Sequence, residues 1–171
     1  SVQVGFFSYA QDSAHEADRP MYVGAVSTVA GLASFLPVLG GQSGNLGCQA
    51  MAVLLRGMTL GELKGMPIAK LIGKEAVLGL MNGLVTGALA GVAMYIVAGR
   101  EAGGNPLGLA IITMTAMAFS CMLAGISGTS IPLILKRLGA DPATASSIFL
   151  TTITDVVSMG TFLSLVTYFL I

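Results

Sequence analysis

The sequence predicts an all-α fold, a polytopic bundle of membrane-spanning helices, and three observations carry that prediction. Hydrophobic residues make up 54% of the 171 and charged residues only 9%, with a mean hydropathy of +0.86. Soluble domains carry roughly 25% charge. The charges are also bunched: none lies between Arg19 and Arg56, none between Glu101 and Lys136, and Glu75 to Arg100 encloses 24 uncharged residues. Each gap exceeds the roughly 18 apolar residues that mark a transmembrane helix. Finally, Gly79, Gly83, Gly87 and Gly91 recur at every fourth position, which places them on one helix face where a neighbouring helix can approach closely.

Four spans follow, approximately 21–55, 76–99, 107–135 and 143–171, within one membrane domain. The first is too long for one straight crossing. Its centre, Pro37 through Gly47, predicts a kinked or locally unwound helix, which a bilayer tolerates only where the backbone is buried or lines a wet cavity. Ahead of it, Val2 to Phe7 is too short to span and reads as the end of an earlier helix, giving five in all. The connector 56–75 sets Leu60, Leu63, Ile68, Leu71 and Ile72 among lysines, the pattern of an amphipathic helix lying at the headgroup boundary; a solvated loop fits it as well. Counting Lys and Arg by loop gives orientation. Arg56, Lys64, Lys70, Lys74, Lys136 and Arg137 fall on one side and Arg19 and Arg100 on the other, so 56–75 and 136–142 are expected in the cytoplasm of a multi-pass cell-membrane protein.

Several function classes drop out. Eight basic and eight acidic residues leave no basic face for nucleic acid. Gly41-Gln42-Ser43-Gly44-Asn45 misses a nucleophile elbow because Asn45 replaces its second glycine, and Gly73-Lys74-Glu75 lacks the hydroxyl of a phosphate loop, so no enzyme is expected. Cys48 and Cys121 read as buried thiols. The single histidine, His15, lies with Asp12, Glu16 and Asp18 in a segment that reads as a solvated acidic loop.

Asp155 stands apart, with 13 uncharged residues before it and 16 after. An ionised group at the bilayer centre costs about 2.5–3.5 kcal/mol on insertion scales, so it is expected to face a wet cavity, a partner or an ion. Thr151, Thr152 and Thr154 add hydroxyl oxygens beside it, and oxygen suits hard cations. No Lys, Arg or His lies at comparable depth, which leaves a proton or a metal ion as counter-charge. Two copies of Asp155 across a twofold axis would match a divalent ion, and this predicts a homodimer with its pore on the axis. The alternative is a protonated Asp155 hydrogen-bonded to a threonine of its own chain. A second polar cluster, Gln42, Ser43, Asn45 and Gln49, has two readings of equal standing: amides that hold the waters of a hydrated ion, or hydrogen bonds between helices.

At these residues the sequence resembles the MgtE magnesium channels, whose eukaryotic relatives form solute carrier family 41. The matching pieces are Leu36-Pro37-Val38 through Gly44-Asn45-Leu46-Gly47-Cys48-Gln49, Arg56-Gly57, Gly61-Glu62, Lys74-Glu75 with the glycines that follow, Asp141-Pro142-Ala143, and Thr151-Thr152-Ile153-Thr154-Asp155. The resemblance implies a five-helix, dimeric membrane domain with a pore between the second and fifth helices of both subunits. By the same resemblance, Asp155 holds hydrated magnesium together with the backbone oxygen of Thr151. Asn45 and Ser147 line the pore, and Asp141 binds a cation near the cytoplasmic mouth. Gln42, Gly44, Gln49 and Thr152 are expected along the same lining. Members of the family carry a cytoplasmic regulatory domain and paired CBS domains, neither of which this sequence is expected to form, and its first helix is expected to be truncated. Magnesium is the expected cargo, with manganese, cobalt, nickel and zinc left open. A proton-coupled divalent-cation transporter and a non-transporting scaffold subunit are the other two readings.

Overall fold

The computed structural model describes residues 19–63, 65–100 and 105–170, with side chains from Leu36 onward except those of 144–146 and 170. His15 and its acidic neighbours, and the apolar Val2–Phe7, lie outside the described residues. The described residues form four helices: α1 (Arg19–Thr59), α2 (Ile68–Ala98), α3 (Pro106–Arg137) and α4 (Pro142–Leu170). Among the described residues α2, α3 and residues Ser147–Phe169 of α4 are each long and apolar enough to cross a membrane.

The helix ends follow from local chemistry. Asn105 caps α3, its side chain accepting from the Gly108 N–H at 3.0 Å with Pro106 next in line, and Gly139 closes the α3–α4 turn at a φ of 77°. Asp141 Oδ1 accepts from the Ala143 N–H at 2.9 Å at the start of α4. The expected surface helix over 56–75 is instead divided. α1 continues to Thr59, Gly61 and Gly65 turn the chain at φ values of 72° and 88°, and α2 begins directly after Pro67. Two left-handed residues four apart cannot sit within one helix, which is why the amphipathic pattern does not form a single element.

The centre of α1 also departs from expectation, because the helix is continuous through Pro37 and the following glycines. Packing accounts for this. Gly40 and Gly44 face α4, and Gly47 sits between Leu150 of α4 and the Ala124 carbonyl of α3, so the glycines are points of close approach rather than breaks. Ser43, fully buried, donates to the Gly40 carbonyl at 3.1 Å. Apart from the Ala33 carbonyl, which meets Pro37 where a donor would stand, an unbroken helix keeps its backbone groups paired where no water is available.

α2 and α3 form the most extensive pairing in the bundle, and α1 with α2 the slightest. They run antiparallel: a Cβ on Gly83 would fall 2.7 Å from the Ala118 Cα, one on Gly87 2.9 Å from the Met114 carbonyl, and one on Gly91 3.0 Å from the Ala110 carbonyl. Gly79 meets the Cys121 carbonyl in the same way, and Gly125 of α3 extends the row against Glu75. The opposite face of α2 is aliphatic and uncovered, with Val77, Met81, Val85, Leu89 and Val92 exposed, as a lipid-facing surface requires. Phe162, Leu39, Met94 and Met117 fill the centre of the bundle.

Candidate ion-conduction site

Asp155 sits near the middle of α4 with its side chain exposed on the single chain. Gly40 seats it: a Cβ there would lie 3.0 Å from Oδ1 and 3.9 Å from Cγ of Asp155. One turn on, the buried Ser158 donates to the Asp155 carbonyl at 3.1 Å. The neighbouring threonines spend their hydroxyls on their own helix. Thr151 donates to the Ser147 carbonyl at 3.1 Å, Thr152 to the Ile148 carbonyl at 2.9 Å, and Thr154 to the Thr151 carbonyl at 3.0 Å. A hydroxyl has one proton to give, so none of the three donates to the Asp155 carboxylate. The Thr151 carbonyl in turn accepts both the Thr154 hydroxyl and, as part of the helix, the Asp155 N–H.

Asp155, Thr151, Thr152 and Ser147 share one broad side of α4, and Asp141 falls on the same side about 21 Å towards the helix start. All five are exposed. Hydroxyls and a carboxylate at this depth are poor company for lipid, so the strip requires water or protein against it. Among the described residues no three His, Cys, Asp or Glu side chains converge on a point that could hold a bare metal ion. What one chain offers is a single carboxylate with oxygen neighbours, a set suited to an ion that keeps its water.

The amides of α1 stand elsewhere. Gly40, Gly44 and Gly47 mark the side of α1 turned to α4, whereas Asn45 is turned about 140° from Gly40 by the 100° step of the helix. Gln42, Asn45 and Gln49 line a hollow of about 430 Å³ whose α2 wall is Asn82. Within one chain, then, the structure brings Asp155 against Gly40 and Thr154 against Gly44, and gathers Gln42, Asn45 and Gln49 in a separate group. Asn82 was missed by the sequence reading. Its signal was present, since it is the one carboxamide between Glu75 and Arg100.

Helices of this length, with a carboxylate and amides held at their centres, define a polytopic membrane bundle that keeps polar chemistry inside the bilayer. The sequence model of the MgtE family, described as a divalent cation transporter, matches residues 36–165. The chain belongs to the MgtE family. It is 32% identical over 146 residues to the magnesium transporter MgtE of Bacillus subtilis, covering 85% of this chain and 31% of that protein. It is 34% identical over 151 residues to the magnesium transporter MgtE of Enterococcus faecalis (87% and 32%), and 28% identical over 139 residues to that of Thermus thermophilus (81% and 29%). The chain therefore spans about a third of the length of these relatives.

Proposed function

We propose that this chain forms the conducting membrane domain of a magnesium channel, admitting the ion through a pore on the axis of a homodimer in the cell membrane. The observation that carries the reading is the exposed strip of α4, with Asp155 at its centre and its carboxylate seated against Gly40. A second copy placing its own strip opposite would surround the strip with protein and water and bring two carboxylates to one divalent ion. In this reading Asp155 supplies charge, Thr151 and the Asn45 amide hold ion-bound waters, Ser147 and Thr152 continue the lining, and Asp141 draws the ion at the cytoplasmic mouth. The relatives named as magnesium transporters support magnesium as the cargo. No coupling ion is needed, because 100 mV inside negative favours entry of a doubly charged ion by about twice 2.3 kcal/mol.

Magnesium uptake into liposomes holding the purified protein tests this. Uptake is expected to rise with an inside-negative potential and to be indifferent to an imposed pH gradient. Uptake that follows the pH gradient with voltage clamped would show a proton-coupled transporter instead, and a protein that carries no ion would be a scaffold.

The seat of Asp155 gives a finer prediction. In Gly40→Ala the new methyl meets the end of a rotatable carboxylate rather than backbone, so the fold is expected to survive. Turning the carboxylate off its rotamer costs about 0.5–1.5 kcal/mol, so flux is expected to change roughly two- to tenfold. Parallel measurements of thermal unfolding and uptake check both halves.

A further inference from the structure

We propose that the hollow between α1 and α2 is a water-filled vestibule through which the hydrated cation passes, with Asn82 providing its α2 wall. This rests on the conduction reading above and adds a third helix, α2, to the path. Gln42, Asn45 and Gln49 face Asn82 across about 430 Å³, close to the middle of α2. Among the described residues none of these four side chains has a hydrogen-bond partner. Asn45, Gln49 and Asn82 are exposed and Gln42 half-buried, and a carboxamide turned to hydrocarbon without a partner costs several kcal/mol, so a lipid chain is the wrong occupant and water the right one. Neutral amides also suit an ion that sheds its water reluctantly, since their carbonyls accept from its hydration shell without stripping it.

The hollow is also connected. A second cavity of about 610 Å³ shares Gln49 and Asn82 with it and reaches Lys74 and Glu75. A third, of about 430 Å³, shares Lys74 and Glu75 and adds Glu62 and Lys70. The three cavities thus run from the central amides to the charged end of α2, with Leu46, Val53, Leu78 and Val85 lining the stretch between, along the seam where α1 and α2 pack least. Glu75 and Glu62 stand along it at the depth where a cation would enter or leave.

The chain carries its own reporter. Cys48 lines the hollow and is half-buried, whereas Cys121 is fully buried beside Gly83. The thiolate attacks the sulfenyl sulfur of a thiosulfonate, forming a mixed disulfide and releasing sulfinate, so a thiol facing hydrocarbon, which ionises poorly, is expected to react at least about tenfold more slowly than one in water. In Cys121→Ala protein in liposomes, a trimethylammonium thiosulfonate is expected to modify Cys48 at a rate close to that of a cysteine placed at the exposed Lys136. Magnesium is expected to slow the reaction, and Asn82→Leu to slow it further and to cut uptake. Peptide mass spectrometry on the unaltered protein gives the same readout where Cys121→Ala does not fold. An unreactive Cys48 beside a reactive control overturns the vestibule, and when voltage-driven uptake persists the conduction reading stands without it. Reaction that magnesium leaves unchanged overturns passage of the ion through the hollow. Reactive Cys48 in a protein that takes up no magnesium supports the water-filled hollow and removes the conduction reading.

Discussion

Asp155→Asn is expected to lower voltage-driven magnesium uptake by at least tenfold while leaving the helices and the assembly unchanged. The magnitude follows from charge. One carboxylate about 5 Å from a divalent ion contributes roughly 1.7 kcal/mol at the dielectric of water and roughly 7 kcal/mol at an effective value of 20. Even the smaller figure exceeds the 1.4 kcal/mol that separates tenfold steps, and a dimer loses two such charges. The fold is expected to be indifferent, since the asparagine fills the same space against Gly40. Uptake into liposomes, with circular dichroism and size-exclusion chromatography on the same preparation, tests both statements. Undiminished uptake in the well-folded variant would move the ion to another site.

Gly83→Val is expected to have the largest effect on stability. The first added atom would lie 2.7 Å from the Ala118 Cα and 2.9 Å from the Met117 carbonyl, and backbone cannot rotate away as a side chain can. The two helices must separate along their whole row, at a cost of about 1–3 kcal/mol or more for the overpacking alone, with the lost contacts of the neighbouring rungs added. The expected outcome is a lower thermal midpoint in detergent and loss of monodisperse protein. Gly73→Ala is the control, because a Cβ at that position of the same helix meets nothing within 4 Å. Equal behaviour of the two variants would show that the close approach does not support the bundle.

The helical class and the position of Asp155 are legible in the sequence because both depend on what is missing: charge over lengths that match a bilayer, and a partner for the one charge that remains. The four-residue glycine spacing is legible as a helix face, and its partner is not, since Ala110, Met114, Ala118 and Cys121 carry no mark distinguishing them from other small or flexible residues. The glycine run in α1 misleads for a physical reason. Gly40, Gly44 and Gly47 would weaken an isolated helix, and only the arrival of α3 and α4 turns the missing side chains into contact. The grouping of polar residues is the least legible part. Asn45 and Asp155 lie on different seams of the bundle, a matter of rotation about α1 that spacing alone cannot give, and Asn82 acquires meaning only when α2 is placed across from Gln49.

The glycine rows of α2 and α3 have a mechanical corollary. Backbones that interlock at four-residue intervals cannot slip past one another by a small amount, because each rung blocks the next until the shift reaches a full step of about 6 Å. The two helices therefore behave as a single stiff beam in the membrane. Any widening or narrowing of a passage has to be made by tilting α1 and α4 against that beam, and the thin α1–α2 seam is where the bundle yields first.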